Sequence, residues 1–330
     1  MAAPKYKRHV PKDGSRHRLI TYVAVSLFVL IDVALIGWAL NSTRGAPAAP
    51  QALELPAATM LQVEPTDTPT PEPTAAAPTF TLTEAVAPTR IITALNATTA
   101  WRAETGPCPA TPAEPEYTLD GGVTWTTTDA TGPTGATAIQ SITVDADGIA
   151  SMVALAGADC SPEFIKTFVA GDNYRAYDEQ LENNWYVDLD DPTTIVSPTG
   201  SADSPCGQVV SLAPSTQAAA AVFCNDQTVF TTDSGGADWI GPVSVPSTVG
   251  ITASATGYLL ATIGQSDCGG IQLVSLLEGQ SAVKVTGCWA SETISAASGA
   301  DIAISEADGS VWVWMQDQVS RTADGGATWE

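Results

Sequence analysis

Eight residues recur almost intact at two distant places. Thr118-Leu119-Asp120-Gly121-Gly122-Val123-Thr124-Trp125 and Thr322-Ala323-Asp324-Gly325-Gly326-Ala327-Thr328-Trp329 both read Thr-x-Asp-x-Gly-x-Thr-Trp. A third run, Thr231-Thr232-Asp233-Ser234-Gly235-Gly236-Ala237-Asp238-Trp239, carries one extra residue between its Asp and its Trp. Such a pattern suits a hairpin tip. An Asp side chain accepts N–H groups from its own turn, and Gly tolerates positive φ. The Trp adds an apolar body that wedges between neighbouring sheets.

The spacing widens the constraint. Short alternating segments broken by Gly, Asp, Ser and Pro fill residues 79–330, with little helical periodicity. Five units start on a β-branched residue, a hydroxyl residue and an apolar one, at Ile92, Ile142, Val210, Ile251 and Ile294. Each start is followed by a Trp: Trp125, Trp185, Trp239, Trp289 and Trp329, at spacings of 60, 54, 50 and 40 residues. A unit of that length holds four strands, which is one propeller blade. The expected fold is therefore all-β, a β-propeller of about five blades.

The Thr-x-Asp-x-Gly-x-Thr-Trp runs resemble the Asp-box, or bacterial neuraminidase repeat, of β-propeller proteins. The resemblance implies a structural role for Thr118, Asp120, Gly122, Thr124, Trp125, Asp233, Trp239, Thr322, Asp324, Gly326, Thr328 and Trp329 on outer hairpins. It implies fold more than reaction, because the box occurs in sialidases, other glycosidases and non-catalytic propellers alike. A sialidase-like glycoside hydrolase is the alternative reading. Sialidases resemble one another in an arginine cluster that clamps a carboxylate. Here only Arg90, Arg102, Arg175 and Arg321 are available, and Arg90-Ile91-Ile92 lacks the proline of the family's early element.

Catalysis is narrowed further by histidine. His9 and His17 are the only two, both near the start, which excludes a His-based triad or His-ligated metal in residues 79–330. Paired carboxylates for glycoside hydrolysis stay open. Asp145-Ala146-Asp147-Gly148 lacks the rest of a calcium loop and reads as a tight turn. No catalytic residue, cofactor or metal is assigned.

Charge divides the chain. Residues 1–18 hold six Lys or Arg against Asp13, whereas residues 45–330 hold six against thirty-four Asp and Glu, a balance near −28. Nucleic acid would be repelled by that surface. Leu19–Leu40 is a 22-residue apolar run, about 33 Å as a helix and enough to cross a bilayer. It is interrupted by Asp32, a costly group at that depth. Its basic flank precedes it, so the expectation is a single-pass signal-anchor with residues 1–18 cytoplasmic. Residues 41–78, rich in Pro, Thr and Ala, read as a stalk, and 79–330 as an extracytoplasmic propeller. That part would bind or scaffold an extracellular protein or glycan.

All six cysteines lie beyond the apolar run, where disulfides persist. Cys268 and Cys288, and Cys206 and Cys224, are each close enough to join neighbouring strands of one unit. Cys108 and Cys160 fall at equivalent places in adjacent units, which sets the expected pairs at 268–288, 206–224 and 108–160. Trp312 and Trp314 alternate in one strand and so share a face. That face is either core or a ligand platform. Finally, Thr79-Phe80-Thr81-Leu82-Thr83 alternates as a strand would, and is expected to complete the last blade and close the ring.

Overall fold

The structure, a computed structural model, describes residues 79–188 and 191–330. They form six antiparallel sheets in succession. Blade 1 holds β1 (Arg90–Ala94), β2 (Ala100–Glu104), β3 (Glu116–Thr118) and β4 (Thr126–Thr127). Blade 2 holds β5 (Ala136–Ala146), β6 (Ile149–Ala156), β7 (Ser161–Thr167) and β8 (Arg175–Ala176). Blade 3 has three strands, β9 (Tyr186–Val187), β10 (Thr194–Ser197) and β11 (Gly200–Asp203). Blade 4 comprises β12 (Val209–Pro214), β13 (Ala220–Cys224), β14 (Thr228–Thr232) and β15 (Ile240–Ser244). Blade 5 comprises β16 (Thr248–Ser254), β17 (Gly257–Gln265), β18 (Cys268–Leu277) and β19 (Val283–Ala290). Blade 6 ends the series with β20 (Ile302–Ala307), β21 (Ser310–Met315) and β22 (Gln318–Thr322).

The first strand of each sheet is innermost. β1 lies against both β5 and β20, β16 against β12 and β20, and β12 against β9. Between blades 2 and 3 a 3-10 helix, Asp178–Asn183, packs on β7 and β10. Each blade is packed between two others, so both faces of its inner strands can be covered by neighbouring blades. That is why β13 (Ala-Ala-Val-Phe-Cys) and β21 (Ser-Val-Trp-Val-Trp-Met) are buried at every position instead of alternating.

The fold is thus an all-β propeller with six blades, not about five. Blade 3 escapes the repeat because β9 and β10 are only 2 and 4 residues long, with no apolar start signal. Trp185 precedes β9 and does not close a unit. It is buried against Ile195, Ala220 and Val222, with its Nε1 donating to Thr216 O at 2.9 Å. Ile294 is likewise not a blade start. Ser295 caps the 3-10 helix Ala296–Asp301 through a capping box with Ser298, and the inner strand begins at Ile302.

Residues 79–83 do not complete blade 6. The segment 79–89 crosses the face that carries the second-to-third-strand turns and the inter-blade connections. Phe80 N donates to Gly264 O (3.4 Å), Leu82 N to Ser247 Oγ (3.0 Å), Ala85 N to Asn225 O (2.8 Å) and Thr89 N to Ala300 O (2.8 Å). Phe80 and Leu82 pack on the core shared by blades 5 and 6, and Ala85 on that of blades 4 and 5. The alternation of apolar groups serves a strap laid over three blades, with Phe80 and Leu82 covering the core shared by blades 5 and 6. At the edge of blade 6, Arg321 and Glu330 exchange two backbone hydrogen bonds of 3.1 and 2.9 Å.

Among the described residues no helix is long and apolar enough to cross a membrane. The 19–40 run, the basic tail, Asp32 and the 41–78 stalk lie outside the described residues.

Candidate functional site

The motif residues sit between the third and fourth strand positions of their blades. In blade 1 the Thr118 hydroxyl donates to Asp120 Oδ1 (2.8 Å) and accepts the Gly122 N–H (2.9 Å). Asp120 accepts the Thr124 N–H at 2.9 Å and the Thr124 hydroxyl at 2.6 Å. Gly122, at φ +87°, lets the chain reverse, and Trp125 Nε1 donates to its carbonyl at 3.1 Å. Blade 6 repeats every one of these bonds through Thr322, Asp324, Gly326, Thr328 and Trp329. The Thr124 hydroxyl, then its N–H and the Thr118 hydroxyl, hold the Asp120 carboxyl down to about 2. Thr328 and Thr322 depress Asp324 in the same way.

Blade 4 uses a different register from the one expected. Thr232, not Thr231, accepts the Gly236 N–H (3.1 Å), and Ser234 Oγ accepts the Asp238 N–H (2.9 Å) as Asp120 does from Thr124. Asp233 is exposed and is not the motif acid; no residue is extra. Blade 2 carries a further copy without Asp or Trp. Buried Thr167 accepts the N–H groups of Val169 (3.3 Å) and Gly171 (3.0 Å), and its sequence trace is Thr-x-x-x-Gly with buried Tyr174 at the place of the Trp.

Each of these turns packs on the preceding blade. A Cβ at Gly122 would lie 3.3 Å from Trp312 of blade 6, and one at Gly236 would lie 3.0 Å from Ala202 of blade 3. Gly171 abuts Thr128 of blade 1. Gly326 meets Gly287 of blade 5, with Trp329 Nε1 donating to Cys288 O at 2.9 Å. The Trp therefore wedges one blade onto the last at the 6/1, 3/4 and 5/6 junctions. Blade 5's corresponding hairpin, Leu277-Glu278-Gly279-Gln280-Ser281-Ala282-Val283, has neither Thr, Asp nor Trp at these places.

The 6/1 junction also settles the two alternating tryptophans. Trp312 and Trp314 are 0% and 4% exposed, packed with Ile92, Ala94 and Ala100. Trp312 Nε1 donates to Asn96 O (3.1 Å), and Trp125 meets the Trp312 ring edge-on at 6.5 Å. Both are core at the seam and offer no ligand platform. Three of the four arginines are spent here too. Arg90 stacks on Trp314, Arg102 on Trp125 and Trp314, and Arg321 on Trp312, at 4.1–5.1 Å. Arg102 also pairs with Glu116 at 2.7 Å, while Arg90 and Arg321 donate to the carbonyls of Gln316 and Ala97. They converge on the seam, not on the ring axis where a carboxylate clamp would belong.

Among the described residues Glu163 is the one carboxyl pushed upward, first by burial and then by Asp178. It lies on β7 opposite Ala154, in the outer half of blade 2. Asp145 pairs with Lys166 at 2.7 Å and Asp147 accepts the Thr99 hydroxyl at 2.9 Å, so both serve local structure. Among the described residues no group of three His, Cys, Asp or Glu is placed to hold a metal ion. The disulfides join Cys108 to Cys160 across blades 1 and 2, Cys206 to Cys224 between blades 3 and 4, and Cys268 to Cys288 within blade 5. Their Cα atoms are 6.0, 6.2 and 5.8 Å apart.

What remains outward on the rim is apolar in two places. Leu119, Val123, Phe168 and Val169 stand 50–80% exposed on the outer hairpins of blades 1 and 2. Ile240, Val283 and Val285 are 41–56% exposed on the outermost strands of blades 4 and 5.

The chain is a six-bladed β-propeller with disulfide bonds within and between its blades. Solved propellers similar to it include YCF48 bound to D1 peptide, at 14% identity and a TM-score of 0.29 over 78% of this chain and 71% of that one. The WD40 propeller domain of Doa1 is 12% identical, with a TM-score of 0.41 over 77% of this chain and 100% of that one. A GH74 xyloglucanase from Xanthomonas campestris is 12% identical, with a TM-score of 0.28 over 73% of this chain and 37% of that one. No family model and no curated protein matches the sequence.

Proposed function

We propose that the chain is a membrane-tethered binding propeller standing outside the cytoplasm. In this reading residues 1–18 are the cytoplasmic tail, 19–40 the signal-anchor helix, 41–78 the stalk and 79–330 the binding part, with Asp-box hairpins as its inter-blade wedges. The observation that carries the reading is the exposure of large apolar side chains at two places on the rim of an otherwise acid-rich domain. Isolated exposed apolar residues are ordinary, but groups of them rimmed by charge mark contact surfaces. Three disulfides support an oxidising compartment. Engagement of Arg90, Arg102 and Arg321 at the seam argues against the sialidase-like alternative. The partner class is an extracellular protein or glycan.

Cross-linking on intact cells followed by capture of the tagged full chain tests this. An extracytoplasmic partner should be recovered, and its yield should fall with Val123→Asp or Val285→Asp. Turnover of chromogenic glycosides by the purified chain would overturn the reading in favour of a hydrolase.

A further inference from the structure

The 4/5 junction is built differently from its neighbours. Blade 5's outer hairpin lacks the wedge Trp that closes three other junctions. The walls it leaves uncovered face each other. Val285 pairs with Val274 and Val283 with Leu276, and both partners are buried in the core shared with blade 4. Paired residues project to the same side of a sheet, so Val283 and Val285 point toward blade 4. Ile240 pairs with Thr231, itself opposite Ala221 of the same core, and so points toward blade 5. All three lie near the start of outer strands that leave the same face of the ring.

Backbone geometry adds a second feature. β19 is the outermost strand of its sheet. Its far end is covered where Cys288 N donates to Gly326 O, but Val283, Lys284, Val285 and Thr286 are all exposed. An extended segment laid on this edge would hydrogen-bond to β19 and drop alternate side chains beside Val283 and Val285. Charge selects the occupant. Residues 204–290 carry Asp226, Asp233, Asp238, Asp267 and Glu278 against Lys284 alone. A second copy would bring the same acidic shell, whereas a basic segment is attracted to it.

We propose that this notch receives an extended peptide of a partner protein, apolar at alternate positions and flanked by Lys or Arg, paired with the free edge of β19. The proposal rests on the binding reading and names one site and one ligand chemistry for it. The probe is a fluorescein-labelled decapeptide alternating Val or Trp with Thr, with lysines at both ends, titrated into the full chain by anisotropy. A Glu-flanked version of the same peptide is the comparison. The Lys-flanked probe should bind at least about tenfold tighter than the Glu-flanked one, and Val285→Asp should weaken it by about tenfold. Val283→Trp fills the notch from within and should weaken it equally while the chain stays folded. Gln318→Ala, at an exposed position on blade 6 outside both apolar places, should change nothing. Equal binding to wild type and both notch variants, or a preference for the Glu-flanked probe, overturns the notch. Self-association abolished by Val285→Asp overturns the peptide in favour of a second copy. If the cross-linked partner is still captured by Val285→Asp and Val283→Trp, the notch fails and the binding reading stands.

Discussion

Replacing Trp312 by Ala should open the ring at the one place where the first and last blades meet. Every sheet is made of consecutive strands, so no strand is shared across the 6/1 seam, which is held by side-chain packing and by hydrogen bonds from or to side chains. Trp312 is fully buried there, donates to Asn96 O at 3.1 Å, carries Arg321 over its ring at 5.1 Å and meets Trp125 at 6.5 Å. Truncating a buried Trp costs about 3–5 kcal/mol, and the orphaned carbonyl adds about 1 kcal/mol. At roughly 2–4 °C per kcal/mol for a domain of this size, the melting temperature should fall by roughly 8–24 °C. Far-UV circular dichroism of the purified full chain reads this without relying on Trp emission. Trp125→Ala, at a half-buried position, should cost less, and the double mutant should reveal a coupling of about 1 kcal/mol between the two rings. A drop of under about 3 °C for Trp312→Ala, the range of a surface substitution, would refute packing as what closes the ring.

The remaining predictions concern the bridges, the turns and the strap. Removing Cys108–Cys160, which spans 52 residues, should cost about 4 kcal/mol against about 3 for the bridges spanning 18 and 20, measured by urea unfolding of paired Ser variants. Asp120 should titrate near 2 by carboxyl NMR, below its ordinary 3.8, and Thr124→Val should move the midpoint upward. Because the folded value is the lower one, the turn's contribution is complete above about pH 4 and fades as pH falls through about 2; an ordinary midpoint would contradict the bonding described. Deleting residues 79–83 should remove about 2–3 kcal/mol of apolar cover from Phe80 and Leu82, while trimming 45–70 should leave the melting temperature unchanged.

The sequence made legible what a single turn or strand decides by itself. The side chains of Thr118, Asp120 and Thr124 bond within their own turn, so their spacing announces the hairpin without knowledge of the rest. The disulfide partners expected from short spacing within a unit, and for Cys108 and Cys160 from equivalent places in adjacent units, are the pairs the structure forms. Elsewhere one group substitutes for another. Ser234 does the work of Asp120, so an eye drawn to Asp233 slips the blade-4 register by one. Thr167 keeps the turn with neither Asp nor Trp, and blade 3 is built from strands too short to show a period. Ile294-Ser295-Ala296 matches the start pattern because a hydroxyl that caps a 3-10 turn looks like one in a strand. Trp312 and Trp314 required the tertiary fold: what buries them is blade 1, some two hundred residues earlier in the chain. The Arg–Trp stacking across that seam and the missing wedge at blade 5 were likewise hidden, since both depend on which blades become neighbours.

The central claim, a disulfide-linked propeller standing outside the cytoplasm on a membrane tether, is tested most directly by shaving intact cells with protease after blocking free thiols. Peptides from residues 79–330 should be released carrying the 108–160, 206–224 and 268–288 links, while residues 1–18 stay protected inside. Recovery of the propeller peptides only after lysis, with their cysteines alkylated, would contradict it.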